Sequence, residues 1–190
     1  GKEKGEYSAI FYKVSKYKIL ESDTFWLSDK PKKPSKGWDA MYPRICTWAE
    51  FQDKDSKKKF FVFNTHFDHI GEKARVKSVE LILDKIEKIN KKSYPLFLMG
   101  DLNSKPDTKP VELLQNKMKD AKAVSENSSF GPEGTFNAYQ FDEPVQTRID
   151  YIFVSKSGIS VLKYGVLSDS KDLHYPSDHL PVLIKARFKD

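Results

Sequence analysis

A chain of 190 residues and 22.0 kDa is the size of one domain and long enough to bury a sizeable core. With 38% hydrophobic residues, no run of about 18 apolar residues and no secretory signal pattern at Gly1, it is expected to be a soluble globular domain, and nothing in it marks a compartment. The 33 basic residues against 27 acidic ones leave a charge of +6, which permits phosphate-bearing partners without demanding them, and the single cysteine excludes an internal disulfide.

Three segments, Tyr7–Lys13, Tyr17–Leu27 and Arg44–Phe51, are rich in aromatic and β-branched residues and bounded by Lys, Asp, Pro and Gly clusters, so they read as strands. Cys46, between Ile45 and Trp48, reads as a small core residue. Asp53–Lys59 reads as a charged hairpin loop and Phe60–His66 as the next strand. From Glu72 onward Val76, Val79, Ile82, Leu83, Ile86 and Ile89 recur at helical steps, with Gly71 before them and Lys91 and Lys92 after. The unbroken apolar run from Pro95 reads as a strand buried on both faces that stops at Gly100 and then presents Asp101 and Asn103. Val111–Ala123 is a weaker helical pattern and Ser125–Gly134 a turn-rich loop. Ile149–Val154, Ile159–Val166 and Val182–Phe188 complete the strands. Helices interspersed among more numerous strands indicate α/β layers in two sheets.

Polar residues gather where these strands begin and end. Asn64-Thr65-His66 closes one strand, Gly100-Asp101-Leu102-Asn103 another, Arg148-Ile149-Asp150-Tyr151 opens a third and Ser177-Asp178-His179 precedes a fourth. Taken singly, each is a weak signal. Together, Asp and Asn oxygens without a cysteine set suit a hard divalent cation, Mg2+ or Mn2+, and are unlike a tetrahedral zinc cage. Carboxylates, imidazoles and such a cation are the equipment for activating water on a phosphoryl group, whereas serine and cysteine nucleophile motifs, P-loops and dinucleotide fingerprints are absent.

These four motifs, in this order and through most of the chain, resemble the endonuclease/exonuclease/phosphatase superfamily, the deoxyribonuclease I-like group, and the stretches around Gly37-Trp38-Asp39, Pro43–Trp48 and Asn64–Arg75 resemble its bacterial metal-dependent hydrolase branch. The resemblance implies a four-layer α/β sandwich, two mixed sheets face to face with helices outside, with residues 1–190 forming a C-terminal portion of a single such domain whose first strands are missing. It implies a phosphodiester or phosphomonoester hydrolase in which Asp178 is a metal ligand and His179 contacts the phosphate, oriented by Asp150. Asp101 resembles the carboxylate that positions the attacking water, Asn103 the amide on a phosphate oxygen, and His66, paired with Glu6, the second histidine. Arg75 is a candidate phosphate contact or a surface arginine. Arg44, Asn137 and Arg148, with Asp68 and His69, are candidates for the substrate rim, and His174 is a loop residue. The partner implied is a phosphate-ester substrate, whether nucleic acid, phospholipid headgroup or small ester, with no obligate protein partner. A non-catalytic binding module of the same fold is the alternative.

Overall fold

The computed structural model describes residues 6–189. They gather into two compact units, one ending at Asn103 and the other starting at Ser104. No helix among the described residues is long and apolar enough to cross a membrane.

In the first unit, strands β1 (Tyr17–Trp26), β2 (Ile45–Asp53), β3 (Lys59–His66) and β4 (Leu96–Asp101) lie side by side in that order. β1, β2 and β3 are antiparallel neighbours, while β3 and β4 run parallel, so the chain must cross over between them. Helix α1 (Glu72–Ile89) makes that crossover and buries Ala74, Ser78, Val79, Ile82 and Ile86 at helical spacing. The aromatic residues that mark the strands pair across them. Phe51 stands opposite Phe60 with rings 5.4 Å apart, and Trp48 opposite Phe63 at 6.2 Å. Cys46 is fully buried, which pushes its thiol pKa up and keeps it a core residue. The charged stretch after Asp53 is the β2–β3 turn, where the Asp53 carboxylate accepts the N–H groups of Asp55 and Ser56. Gly71 offers α1 no side-chain cap, and Asp39 from a distant loop accepts the first-turn N–H groups of Lys73 and Ala74 instead.

Two expectations for this unit are corrected. Tyr7–Lys13 forms no strand: its Phe11 is 94% exposed, and its contacts include a bond from the Asn64 amide to the Ala9 carbonyl and the Tyr12 ring against Phe51. Aromatic composition favours a pleated, half-buried strand, but among the described residues this segment joins no ladder. β4 alternates instead of being buried on both faces, with Leu96 and Leu98 buried and Phe97 and Met99 half-buried. An apolar run does not by itself report how many of its faces are covered.

In the second unit, α2 (Lys109–Lys117) ends earlier than its pattern suggests, because Met118 turns extended and Lys119–Asp120 pairs as strand β5 with β6 (Asp150–Val154). The reason is tertiary. Both terminal nitrogens of buried Arg148 donate to the Asp120 carboxylate, at 2.8 and 2.6 Å, and hold that segment against β6. β7 (Ile159–Val166) and β8 (Val182–Phe188) form an antiparallel ladder in which β7 is mostly buried while β8 is exposed or half-buried throughout.

Candidate active site

In the first unit the last rung of the β3–β4 ladder sets His66 directly opposite Asp101. Gly100 makes that approach possible: its φ is +134°, and a Cβ there would lie 1.8 Å from the Thr65 carbonyl oxygen. Beyond the strand, Asn103 takes a φ of 45° and its N–H donates to Asp101 Oδ1 at 2.7 Å, closing an Asx turn. The same turn aims the Asn103 amide at His66 Nε2, 3.1 Å away, and at the Phe67 carbonyl, 3.0 Å away. Turn and polar cluster are one structure.

His66 has a carboxylate on each side. Its Nδ1 lies 2.5 Å from Glu6 Oε1 and its Nε2 3.2 Å from Asp101 Oδ2. A neutral ring with its proton on Nδ1 donates to Glu6 and accepts the Asn103 amide, whereas the imidazolium donates to both carboxylates. Burial depresses the His66 pKa, but the hydrogen bond and charge of Asp101, with the charge of Glu6, outweigh burial and the opposing charge of Arg44, so the pKa stands above its ordinary value.

Glu6 is 63% exposed and sits on the segment that has no ladder, so something else must fix its carboxylate. That is Arg44, whose Nη1 donates to Glu6 Oε2 at 2.9 Å. Arg44 is buried at the start of β2, and its Nε lies 3.9 Å from Asp68. Asp68, also buried, accepts the N–H groups of Tyr42, Ile70 and Gly71, bonds that outweigh the cost of its burial and hold its carboxyl below the usual carboxylate range. Expected on the rim, Arg44 and Asp68 are therefore internal, because a buried charge persists only with partners and each finds them within the unit. Arg75, half-buried, donates to the Asp68 carbonyl at 3.1 Å. His69 is exposed and stacked on Tyr42.

The second unit builds a parallel arrangement from different parts. Asp150, the first residue of β6, accepts His179 Nδ1 at 2.8 Å and the Thr135 hydroxyl at 2.6 Å on the same oxygen. The Thr135 oxygen also accepts the N–H groups of Ile149 and Asp150, at 3.1 Å each, so one fully buried hydroxyl fixes both the backbone and the carboxylate at the strand start. Phe136 packs edge-on against the His179 ring at 5.1 Å. Asn137, expected on the rim, is buried and braces the segment carrying Asp178 and His179: its amide donates to the Ser177 carbonyl at 3.0 Å and its N–H to the Asp178 carbonyl at 2.8 Å. Arg148, expected there too, is buried on Asp120 with the Tyr151 ring 4.4 Å from its guanidinium. Exposed His174 is a loop residue, as expected. The half-buried Asp178 carboxylate touches the Ser177 hydroxyl at 3.4 Å and has no cationic partner among the described residues, a donor chemistry that fits one ligand of a hard divalent cation. Thr135 is the site residue that the sequence pattern missed, since it stands in a polar stretch just after a turn-rich loop where a hydroxyl carries no periodic signal.

A sequence model described as the Endonuclease/Exonuclease/phosphatase family matches residues 14–179. The chain belongs to this family. A solved mannosyl-6-phosphatase of Bacteroides thetaiotaomicron is 40% identical, with a TM-score of 0.91 over 98% of this chain and 73% of that one. A second family structure from the same organism is 38% identical, with a TM-score of 0.93 over 99% of this chain and 71% of that one. The fold is thus the mixed α/β, two-sheet fold of deoxyribonuclease I-like family members, as the motifs implied. An uncharacterized protein of Acanthamoeba polyphaga mimivirus is 32% identical over 176 residues, 84% of this chain, and the chain spans 62% of that relative's length. Glu6 lies before the first residue that the family model matches.

Proposed function

We propose that this chain, as part of one endonuclease/exonuclease/phosphatase domain, hydrolyses phosphate esters, phosphodiester or phosphomonoester, with Mg2+ or Mn2+ as cofactor. The observation that carries the reading is His66 at the end of the β3–β4 ladder, with Glu6 on one ring nitrogen and Asp101 and Asn103 on the other. Family membership and the similarity to a mannosyl-6-phosphatase support it, and add phosphorylated sugars to nucleic acids and phospholipid headgroups as esters to test.

In this reading Asp101 accepts a proton from the attacking water as its oxygen bonds to phosphorus, and Asn103 donates to a phosphoryl oxygen. His66, acting as the imidazolium between its two carboxylates, gives a proton to the leaving oxygen as the ester P–O bond breaks. His179 donates to the phosphoryl group while Asp150, fixed by Thr135, holds its Nδ1 proton and supports its charge. Asp178 holds the cation, which when bound neutralises phosphoryl charge as a Lewis acid. The test is release of p-nitrophenol from mono- and bis-p-nitrophenyl phosphate by the full-length protein with and without Mg2+. Activity is expected to be lost on chelation and to fall by about 10²-fold or more on His179→Ala, and activity unchanged by both overturns the reading.

A further inference from the structure

Arg44 fixes Glu6 on His66, but this guanidinium is itself buried and must be held in place by something. Its Nη1 is taken by Glu6, which is 63% exposed, and an ion pair to so exposed a carboxylate is a weak anchor. Its Nε is buried and has no hydrogen-bond partner among the described residues. That nitrogen lies 3.9 Å from Asp68 Oδ2, too far for a hydrogen bond and close enough for attraction between charges. A buried donor left unmet costs stability, and a shift onto Asp68 would satisfy it, yet the guanidinium stands off with Nη1 on Glu6. Arg44 is thus shared between one exposed carboxylate and one buried one.

The buried carboxylate is the fixed end. The Asp68 side chain is 1% exposed, its Oδ2 accepts the Tyr42 N–H at 3.0 Å, and its Oδ1 accepts those of Ile70 at 3.1 Å and Gly71 at 2.8 Å. Burial favours the neutral acid, but these donors and the Met41 N–H outweigh it, so Asp68 stays charged. Its place relative to His66 is fixed as well. Phe67, between them, is fully buried, gives its N–H to the Asp101 carbonyl at 2.9 Å and takes the Asn103 amide on its own carbonyl at 3.0 Å. The path Asp68, Arg44, Glu6, His66 therefore leaves a pinned segment and returns to it.

We infer that Asp68 is a positioning residue for the reaction: its charge sets where Arg44 stands and, through Arg44, where Glu6 meets His66. The inference rests on the phosphoesterase reading and extends it to a buried side chain that does no chemistry. Because no hydrogen bond joins Asp68 to Arg44 among the described residues, the hold is one of charge, and an isosteric neutral side chain releases it. A carboxylate that only tied the Met41-Tyr42 loop to the Ile70-Gly71 loop would act independently of Arg44.

A double-mutant cycle separates the two roles, with kcat and KM of the full-length protein measured on the nitrophenyl esters with Mg2+, at a temperature where circular dichroism shows each variant folded. Asp68→Asn is expected to lower kcat by about tenfold or more with little change in KM, the range for a partner that orients an active group. In an Arg44→Met background the same substitution is expected to change kcat by less than about twofold, because the path is already cut. Asp68→Asn leaves Arg44 buried with one exposed partner; if that variant does not fold, Arg44→Lys is compared with Arg44→Lys/Asp68→Asn, since a buried lysine can shed its proton. A fall in kcat of about threefold or more is expected between those two. Unchanged kcat in either comparison, or a loss as large with Arg44→Met as without it, overturns the positioning role and leaves the phosphoesterase standing. A wild type that hydrolyses neither nitrophenyl ester overturns the phosphoesterase reading itself.

Discussion

His66 and His179 each have a carboxylate on Nδ1, but the two pairs are built differently. Asp150 opens a strand, and its backbone and side chain are both fixed by the buried Thr135 hydroxyl. Glu6 stands on an irregular segment, mostly exposed, and is held by Arg44 reaching from the start of β2. The second pair is secured by the strand that carries it; the first depends on one long-range ion pair. Positioning by a sheet tolerates changes elsewhere, whereas positioning by one guanidinium fails when that side chain is changed.

The largest expected effect tests whether both imidazoles matter. Against nitrophenyl esters, His66→Ala should lower kcat by about 10²–10⁴-fold, the usual range for a proton-transferring group, and His179→Ala by about 10²–10³-fold, the usual range for a donor that stabilises developing charge. Equal activity of either variant and the wild type would remove that histidine from the reaction. Next come the supports. Thr135→Val removes the hydroxyl that Asp150 accepts and leaves two backbone N–H groups without their partner, so it should destabilise the fold by about 1–3 kcal/mol in chemical denaturation and lower kcat. Arg44→Met should instead lower kcat by about tenfold or more by releasing Glu6, and Arg44→Lys should recover part of the loss, since a single ammonium can still reach one carboxylate.

A smaller effect is the pH dependence of the first pair. His66 is raised above its ordinary 6.5, so the stability it contributes is complete below that pH and is lost as pH rises through its folded value. Glu6→Gln removes one raising charge and should move this loss, followed by melting temperature across the neutral range, toward lower pH. The corresponding loss for a His66→Gln variant should be absent. The smallest change is Asp39→Ala, which removes the remote acceptor of the first turn of α1 and should cost about 1 kcal/mol or less of stability without changing kcat.

Much of the fold was legible because it is periodic. β7 and β8 match their expected bounds residue for residue, and α1 follows its apolar spacing. What misled was composition without a partner: Tyr7–Lys13 has strand residues and no ladder, and the α2 pattern runs on into a segment that Arg148 pulls against β6. At the candidate site, Asp101, Asn103, His66, Asp150, Asp178 and His179 were legible because polar residues that interrupt apolar strands stand out. Arg44, Asn137 and Arg148 were legible as notable but not as internal, because one-dimensional order does not say whether a charge faces water or a buried carboxylate. Thr135 was not legible at all.

By itself, the sequence determined the laddered strands other than β5, the crossover helix and the polar strand ends, since these follow from side-chain period and from the turn chemistry of Gly, Asp and Asn. Only the tertiary structure decided which carboxylate holds which imidazole, that Arg44 anchors Glu6, and that Asn137 braces the segment carrying Asp178 and His179. Those facts depend on hydrogen-bond partners far apart in the chain, and no local pattern encodes a partner at that distance.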